Sequence, residues 1–393
     1  MCMKNDTVMQ SQVPSGGMVL IGGDVCPTSA DAPCFVDGDA STLFGDLLEE
    51  FRKADLFAVN LECPLTDESS PIAKRGPTLR APSRCVAAIK KAGIGVLNLA
   101  NNHILDHGPT GLESTLRVVE AAGIATVGAG RNRDEARRIL IRSVGGIRVG
   151  ILGVAEHEFS IATAVSPGAN PLDLIDMVRN ITAHKKEWDY LIVLLHGGNE
   201  GYPLPSPRLM DTCRFLVEQG AKAVICQHSH CVGCCEEYRG GHIVYGQGNF
   251  VFDSSAPPSG WNEGVLVRLC ISEKSTSRME LVPFEQSGEQ PGARKMTPDA
   301  ARAMLNAMAK RSETIQDATF VQEQWRQFCR NAEHCYLSTV LGHGPLLGRL
   351  NRYGHVVRYL LSRKALLGVQ NVVRCEAHRE VLETIFEQLS PRS

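Results

Sequence analysis

Five apolar runs in this chain end the same way, on a residue that can ligate a metal or carry a proton. Residues 18–23 lead into Asp24, 56–61 into Glu62, 96–100 into Asn101-Asn102-His103, 191–195 into His196-Gly197-Gly198, and 223–226 into Gln227-His228-Ser229-His230. A short apolar run bounded by turn residues has the pattern of a buried strand. Parallel strands place their carboxyl ends on one edge of a sheet, where the binding sites of α/β folds lie. The recurrence therefore constrains the chain to an α/β sheet with Asp, Glu, Asn and His gathered on one edge. His228 and His230, at i and i+2 just past a strand, can be aimed by one loop into one cleft, and neutral imidazole is the commonest protein metal ligand.

The remaining pattern fills in around these strands. Helical apolar spacing over 42–53, 83–92 and 111–122 alternates with strands at 56–61, 94–99 and 125–127, as repeated α/β units do. Gly145-Gly146 separates the apolar runs 139–143 and 147–154, which predicts a hairpin and so an antiparallel component. Further helices are expected over 171–183 and 206–219, and late strands over 241–252, 264–271 and 279–285. The predicted architecture is a four-layer αββα sandwich over 18–286, two sheets face to face with helices outside. Residues 1–17 are polar and expected to be disordered, and 287–296, rich in Gly, Gln and Pro, reads as a linker. Residues 297–393 are expected to be all helical, with helices over 297–310, 318–333, 346–361 and 376–389.

Composition narrows the function classes. A chain of 393 residues, 43% hydrophobic and 21% charged, is globular with a sizeable core. Its formal net charge of −2 argues against nucleic acid as a partner, because phosphate-backbone recognition shows as a strongly basic balance. No window supplies the about 18 continuous apolar residues of a membrane span, and residues 1–17 lack the apolar core of a signal peptide. A cytoplasmic location is expected, and the 14 cysteines are then reduced thiols rather than a disulfide framework.

Taken in order, Gly23-Asp24, Asn60-Leu61-Glu62-Cys63-Pro64-Leu65, the run from Asn98 through Asn101-Asn102-His103 to Asp106-His107-Gly108, His196-Gly197-Gly198, Gln227-His228-Ser229-His230 and Gly248-Asn249-Phe250-Val251-Phe252-Asp253 resemble the CapA family. That family is the bacterial capsule and poly-γ-glutamate synthesis group of the calcineurin-like metallophosphoesterase superfamily. The resemblance implies Asp24, Glu62, Asn102, His196, His228 and His230 as ligands of one or two divalent transition ions. Imidazole-rich sets favour Mn, Fe, Zn, Ni or Co over Mg or Ca. It also implies that His103 assists the leaving group and that Asp106, one turn further on, orients it. Two departures stand against the superfamily pattern. Asp24-Val25-Cys26 replaces Asp-x-His, and Ile104 stands where an acidic residue follows the Asn-His pair. Cys26 accordingly reads as a spectator, and the first metal site as weakened.

Other polar clusters are candidates for the cleft rim. His157, in Glu156-His157-Glu158 after the run 147–154, is a candidate acid or base, and Glu200, Tyr202 and Arg208 are candidate substrate contacts. Arg208 suits a carboxylate or phosphate through its forked guanidinium. Cys231, Cys234 and Cys235 lack the second pair that a structural zinc needs. From 334 to 375 there is no Asp or Glu, while Arg349, Arg352, Arg358, Arg363, Lys364 and Arg374 accompany an apolar stripe. Such a basic amphipathic stretch is a candidate contact for an anionic membrane or an acidic partner. Each polar residue also has a plainer reading, as a loop cap, a turn former or a solvated face.

The expected function is a metal-dependent hydrolase, phosphoesterase-like, acting on a small-molecule, peptide or polymer substrate of cell-envelope metabolism. The same metals and histidines also suit an epimerase or isomerase of a peptide or amino-acid carboxylate, in which a proton leaves and returns. The third reading is a non-catalytic, metal-bound component of a capsule or polyglutamate synthesis complex.

Overall fold

The computed structural model describes residues 16–74, 76–272, 278–288, 290–340 and 363–374, with isolated positions beyond. In chain order the strands are β1 (Gly16–Val25), β2 (Leu56–Leu61), β3 (Val96–Asn98), β4 (Ala125–Val127), β5 (Ala129–Gly130), β6 (Leu140–Val144), β7 (Ile147–Ala155), β8 (Gly168–Ala169), β9 (Tyr190–His196), β10 (Ala221–Gln227), β11 (Cys235–Tyr238), β12 (Gly241–Val244), β13 (Asn249–Val251), β14 (Glu263–Ser272), β15 (Arg278–Gln286) and β16 (Ala293–Lys295). The first sheet has the order β16-β15-β14-β1-β2-β3-β4, with β13 also paired to β1. The second has the order β11-β12-β10-β9-β7-β6, and β5 and β8 form a two-stranded ribbon. β1 to β4 run parallel, as do β7, β9, β10 and β12.

The two faces of β1 show how the layers form. Val19 and Ile21 point to one side and pack with Val149, Ile151, Ile192, Leu194, Ala223 and Ile225 of the second sheet. Leu20 points to the other side, into a cluster with Phe44, Leu47, Ile89 and Leu112 from the covering helices. A strand's side chains alternate between faces, so one sheet serves two cores. Burying each such aliphatic chain contributes about 1.5–3 kcal/mol. Helix Pro207–Glu218 packs on β10 and β12 of the second sheet, and Ser206 caps it by accepting from Leu209 N at 3.1 Å. The expected αββα sandwich is the architecture found.

Local details differ from the sequence reading where long-range contacts intervene. The run 241–252, expected as one strand, divides into β12 in the second sheet and β13 in the first. The chain crosses between sheets at Gly246-Gln247-Gly248. Gly248 has φ +72, and a side chain there would collide with the Glu263 carbonyl. The helix expected over 42–53 breaks at Gly45 into Ala40–Phe44 and Leu48–Arg52.

The stretch 287–296 is not a free linker, because Ala293–Lys295 pairs with β15 and Gly292 N donates to buried Asp31 at 2.6 Å. Helix Pro298–Thr314, begun by the Thr297 cap and Pro298, belongs to the same compact unit, which closes at Ala318. Its Met304 and Met308 enter the inter-sheet core, and Arg311 donates to the carbonyls of Gly233 and Val232 at 2.9 and 3.0 Å.

The second compact unit, 319–393, contains most of helix Ala318–Val340, in which Trp325 stacks on Phe328, and helix Arg363–Arg374. The expected helix over 346–361, almost all of that over 376–389, and Arg349, Arg352 and Arg358 lie outside the described residues, as do residues 1–15 of the expected disordered segment. Among the described residues no helix is long and apolar enough to cross a membrane.

Candidate metal centre

Strand register gathers the polar residues. Across the first sheet Asn249, Asp24, Asn60 and Asn98 are successive register partners, and across the second Ala155, His196 and Gln227 are. The two rows are joined by Asn98 Nδ2, which donates to Gln227 Oε1 at 3.2 Å, and by Gln227 Nε2, which donates to the Gly22 carbonyl at 3.0 Å. Beyond β10 the chain turns sharply, with His228 at φ +93 and His230 at φ +52. Left-handed backbone at non-glycine residues is costly and clusters at functional sites. Here it turns both imidazoles back toward the sheet edges, and His228 N donates to Asp24 Oδ2 at 3.2 Å.

Four electron-pair donors converge at this edge. His196 Nε2 lies 3.1 Å from His228 Nδ1, 3.1 Å from Asn102 Oδ1 and 3.2 Å from Glu62 Oε1. All four residues are buried. Asn102 Nδ2 donates to Glu158 Oε2 at 3.2 Å, which aims its oxygen into the cluster. Apart from His196 Nε2, buried Glu62 Oε1 has no neighbour among the described residues that could donate to it. A single proton on His196 Nε2 can serve only one of its three neighbours, whereas one divalent cation can serve all of them. Ligands of a tetrahedral ion at about 2.0–2.1 Å stand roughly 3.3 Å apart, close to the spacings found. The ligand atoms of Glu62, His196 and His228 all lie within 4.8 Å of one another. The donor set therefore fits a divalent transition ion, with Asn102 as a neutral oxygen ligand.

Burial and mutual charge set the ionisation of the cluster. Burial pushes His228 well below its usual range, and the neighbouring His196 and His230 add to this, so its imidazole is neutral and ready to ligate. Burial works to raise Glu62, but the charge of His196, with His103 and His230, outweighs it and keeps Glu62 ionised. Burial, then Glu62, raises Asp24 to about 6, against the opposing pull of His196 and His230.

Beside the cluster, His103 Nδ1 lies 2.6 Å from Asp106 Oδ2. Asp106 also accepts from Lys74 Nζ at 2.6 Å and from Leu79 N at 2.6 Å. Lys74 additionally donates to the Asn102 carbonyl at 3.2 Å, so one buried lysine connects the putting of Asn102 and of His103 in place. His103 is 8% exposed, which leaves it a face on the cleft.

The structure does not bring every candidate to this centre. His157 is exposed, and its neighbour Glu158 reaches in instead. Glu200 is exposed and Tyr202 half-buried. Arg208 is ion-paired with Glu156, which also accepts from Gly198 N at 3.1 Å. Burial raises Cys26 well above its usual range, with a bond to Cys63 adding to this, so Cys26 stays a thiol. Burial likewise raises Cys231, Cys234 and Cys235. Sequence reasoning missed Asn60, Lys74, Glu158 and Asn249. Asn60 and Asn249 stood in the quoted motifs and Glu158 in the quoted cluster, while nothing local marked Lys74.

A two-sheet α/β sandwich with a buried carboxylate, amide and imidazole cluster at its strand ends is the class of protein the fold and site define. The profile of the bacterial capsule synthesis protein PGA_cap family matches residues 17–254, and the chain belongs to that family. It is 32% identical over 245 residues to the capsule biosynthesis protein CapA of Bacillus anthracis, covering 59% of this chain and 58% of that protein. It is 29% identical over 281 residues to the PGA biosynthesis protein CapA of Bacillus subtilis, covering 70% of this chain and 72% of that one. The chain thus spans somewhat over half the length of the first of these relatives.

Proposed function

We propose that this protein is a metal-dependent hydrolase of the phosphoester-cleaving kind, acting on a peptide or polymer substrate in cell-envelope synthesis. The observation that carries the reading is the convergence of Glu62 Oε1, Asn102 Oδ1 and His228 Nδ1 on His196 Nε2, at 3.1 to 3.2 Å, where one proton cannot serve all three. The names of the two Bacillus relatives, both for capsule or PGA biosynthesis, support the substrate class.

A divalent ion bound there supplies Lewis acidity toward a substrate oxygen and makes water more acidic. The chain's own residues do the rest. Asp106 accepts from the Nδ1 proton of His103 and so fixes the tautomer, leaving Nε2 as the atom that gives or takes a proton at the leaving group. Lys74 and Leu79 N hold Asp106 in turn. Glu158 keeps the Asn102 oxygen turned inward.

The test is to load the purified chain with Mn, Zn or Co, measure bound metal, and screen phosphodiesters and γ-linked glutamyl peptides. Metal-dependent cleavage, lost in His228→Ala, supports the hydrolase. Solvent deuterium entering an uncleaved peptide would replace it with the epimerase reading. Bound metal with no turnover on any substrate, and a co-purifying synthesis complex, would replace it with the scaffold reading.

A further inference from the structure

Asn60 sits between the two carboxylates that a second cation would have to bridge. Its Nδ2 donates to Asp24 Oδ1 at 2.8 Å and to Glu62 Oε2. The same nitrogen lies 3.4 Å from His196 Nδ1, and the direction of the amide is fixed by the network around it rather than by these contacts alone. Asn101 Nδ2 donates to the Leu61 carbonyl at 2.7 Å and to Asn60 Oδ1 at 3.1 Å, while Asn101 Oδ1 accepts from His103 N at 3.1 Å. A backbone acceptor at one end and a backbone donor at the other settle Asn101. Asn101 then requires the oxygen of Asn60 on its own side, so the Asn60 NH2 must face Asp24 and Glu62. Asn60 and Asn101 are fully buried, and reversing either amide would set oxygen against oxygen where no water can intervene.

The third side of that space is closed in the same manner. Asn249 Nδ2 donates to the Trp261 carbonyl at 3.1 Å, which leaves its Oδ1 as acceptor for His230 Nδ1 at 2.8 Å. His230 Nδ1 is the nitrogen that approaches Asp24, at 3.6 Å, and it carries a proton committed to Asn249. Trp261 covers the His230 ring, with centroids 4.6 Å apart. The Asp24 side of the centre is thus satisfied by N–H donors, while the His196 side offers four electron-pair donors, Glu62 Oε1 among them.

We infer that Asn60 takes the place of a second cation, so that the centre holds one tightly bound ion, on Glu62, Asn102, His196 and His228, with Asp24 outside its shell. The inference rests on the metal-centre reading above and deepens it. Two N–H bonds from one neutral amide tie Asp24 to Glu62 and hold Glu62 Oε1 toward the imidazoles. The Asp24 carboxylate accepts from His228 N and so positions that ligand's backbone.

The test is a metal count on the full chain. Wild-type protein and the variants Asn60→Asp and Asp24→Asn are loaded with excess Mn, desalted, and analysed for metal per chain and by electron paramagnetic resonance. Wild type should retain one ion with the spectrum of an isolated Mn. Asp24→Asn should retain one ion as well. Asn60→Asp, which replaces the donor by an oxygen, should retain two with a spin-coupled spectrum. Two retained ions in wild type, a lost ion in Asp24→Asn, or a single ion in folded Asn60→Asp would each overturn the inference. Should Asn60→Asp not fold, the wild-type and Asp24→Asn counts decide alone. Two ions in wild type would leave the hydrolase reading standing, whereas none retained would remove the metal centre itself.

Discussion

His103 Nδ1 and Asp106 Oδ2 are 2.6 Å apart, three residues along one turn, and neither belongs to the convergent metal-seeking group. Binding and proton transfer are therefore separable. His103→Ala should keep the metal and lose about 10²- to 10⁴-fold in rate, the usual worth of a general acid or base. Asp106→Asn should also keep the metal and lose rate, since the tautomer of His103 is no longer fixed. Metal analysis beside turnover on a cleaved substrate checks both, and full activity in His103→Ala would remove it from the mechanism.

His228 supplies a neutral imidazole to the centre, so His228→Ala and the double variant with His230→Ala should lose bound metal while remaining folded. Affinity should also fall as pH drops, because ligating imidazoles must be unprotonated and binding releases protons. Metal titrations at several pH values measure this. Folded double variant with full metal content would place the ion elsewhere.

Glu236 accepts from Arg214 at 2.9 and 2.8 Å and from Tyr245 Oη at 2.5 Å. Burial opposes its ionisation, but these partners outweigh it and lower its pKa from the usual 4.5. Because the folded value lies below the unfolded one, the linked stability is fully present above pH 4.5 and is lost as pH falls through the folded value. Glu236→Gln should flatten that acid limb in denaturant titrations. It should also cost about 1–3 kcal/mol at neutral pH, the penalty for weakening hydrogen bonds to a buried charged partner.

Phe250 is fully buried and meets the rings of Phe44, Phe51, Phe57 and Phe284 at centroid distances of 5.2 to 6.1 Å. Phe250→Ala should destabilise the fold by about 3–5 kcal/mol. Equilibrium unfolding measures this, and a loss under 1 kcal/mol, roughly the value of a surface change, would mean that the helix layer repacks.

Helix Arg363–Arg374 exposes Leu366, Leu367 and Val373 within the acid-free stretch 334–375. If that stretch contacts an anionic bilayer, the chain should sediment with phosphatidylserine vesicles at low salt and be released as salt rises, since exposed charges are screened within about 8 to 10 Å. Charge reversal at Arg349, Arg352 and Arg358 should release it without changing metal content. Wild type that ignores the vesicles at low salt would assign the basic face to ordinary packing or to an acidic protein partner.

The sequence by itself determined which strands end at the site and which polar residues arrive there. Apolar runs fix buried strands, and parallel pairing puts their ends in one row, so the placement of Asp24, Glu62, Asn102, His196 and His228 followed from local pattern. What each side chain does at that edge was decided only by tertiary structure. Glu158 rather than His157 faces Asn102 because the loop after β7 packs against a turn that lies 56 residues away in sequence. The division of 241–252 between two sheets, and the pairing of Ala293–Lys295 with β15, depend on an open strand edge being present in space. Asn60 reads alike in sequence as a ligand, a cap or a core amide. Its direction depends on Asn101, and that in turn on Leu61 and His103, a chain of buried hydrogen bonds that exists only once the strands have closed.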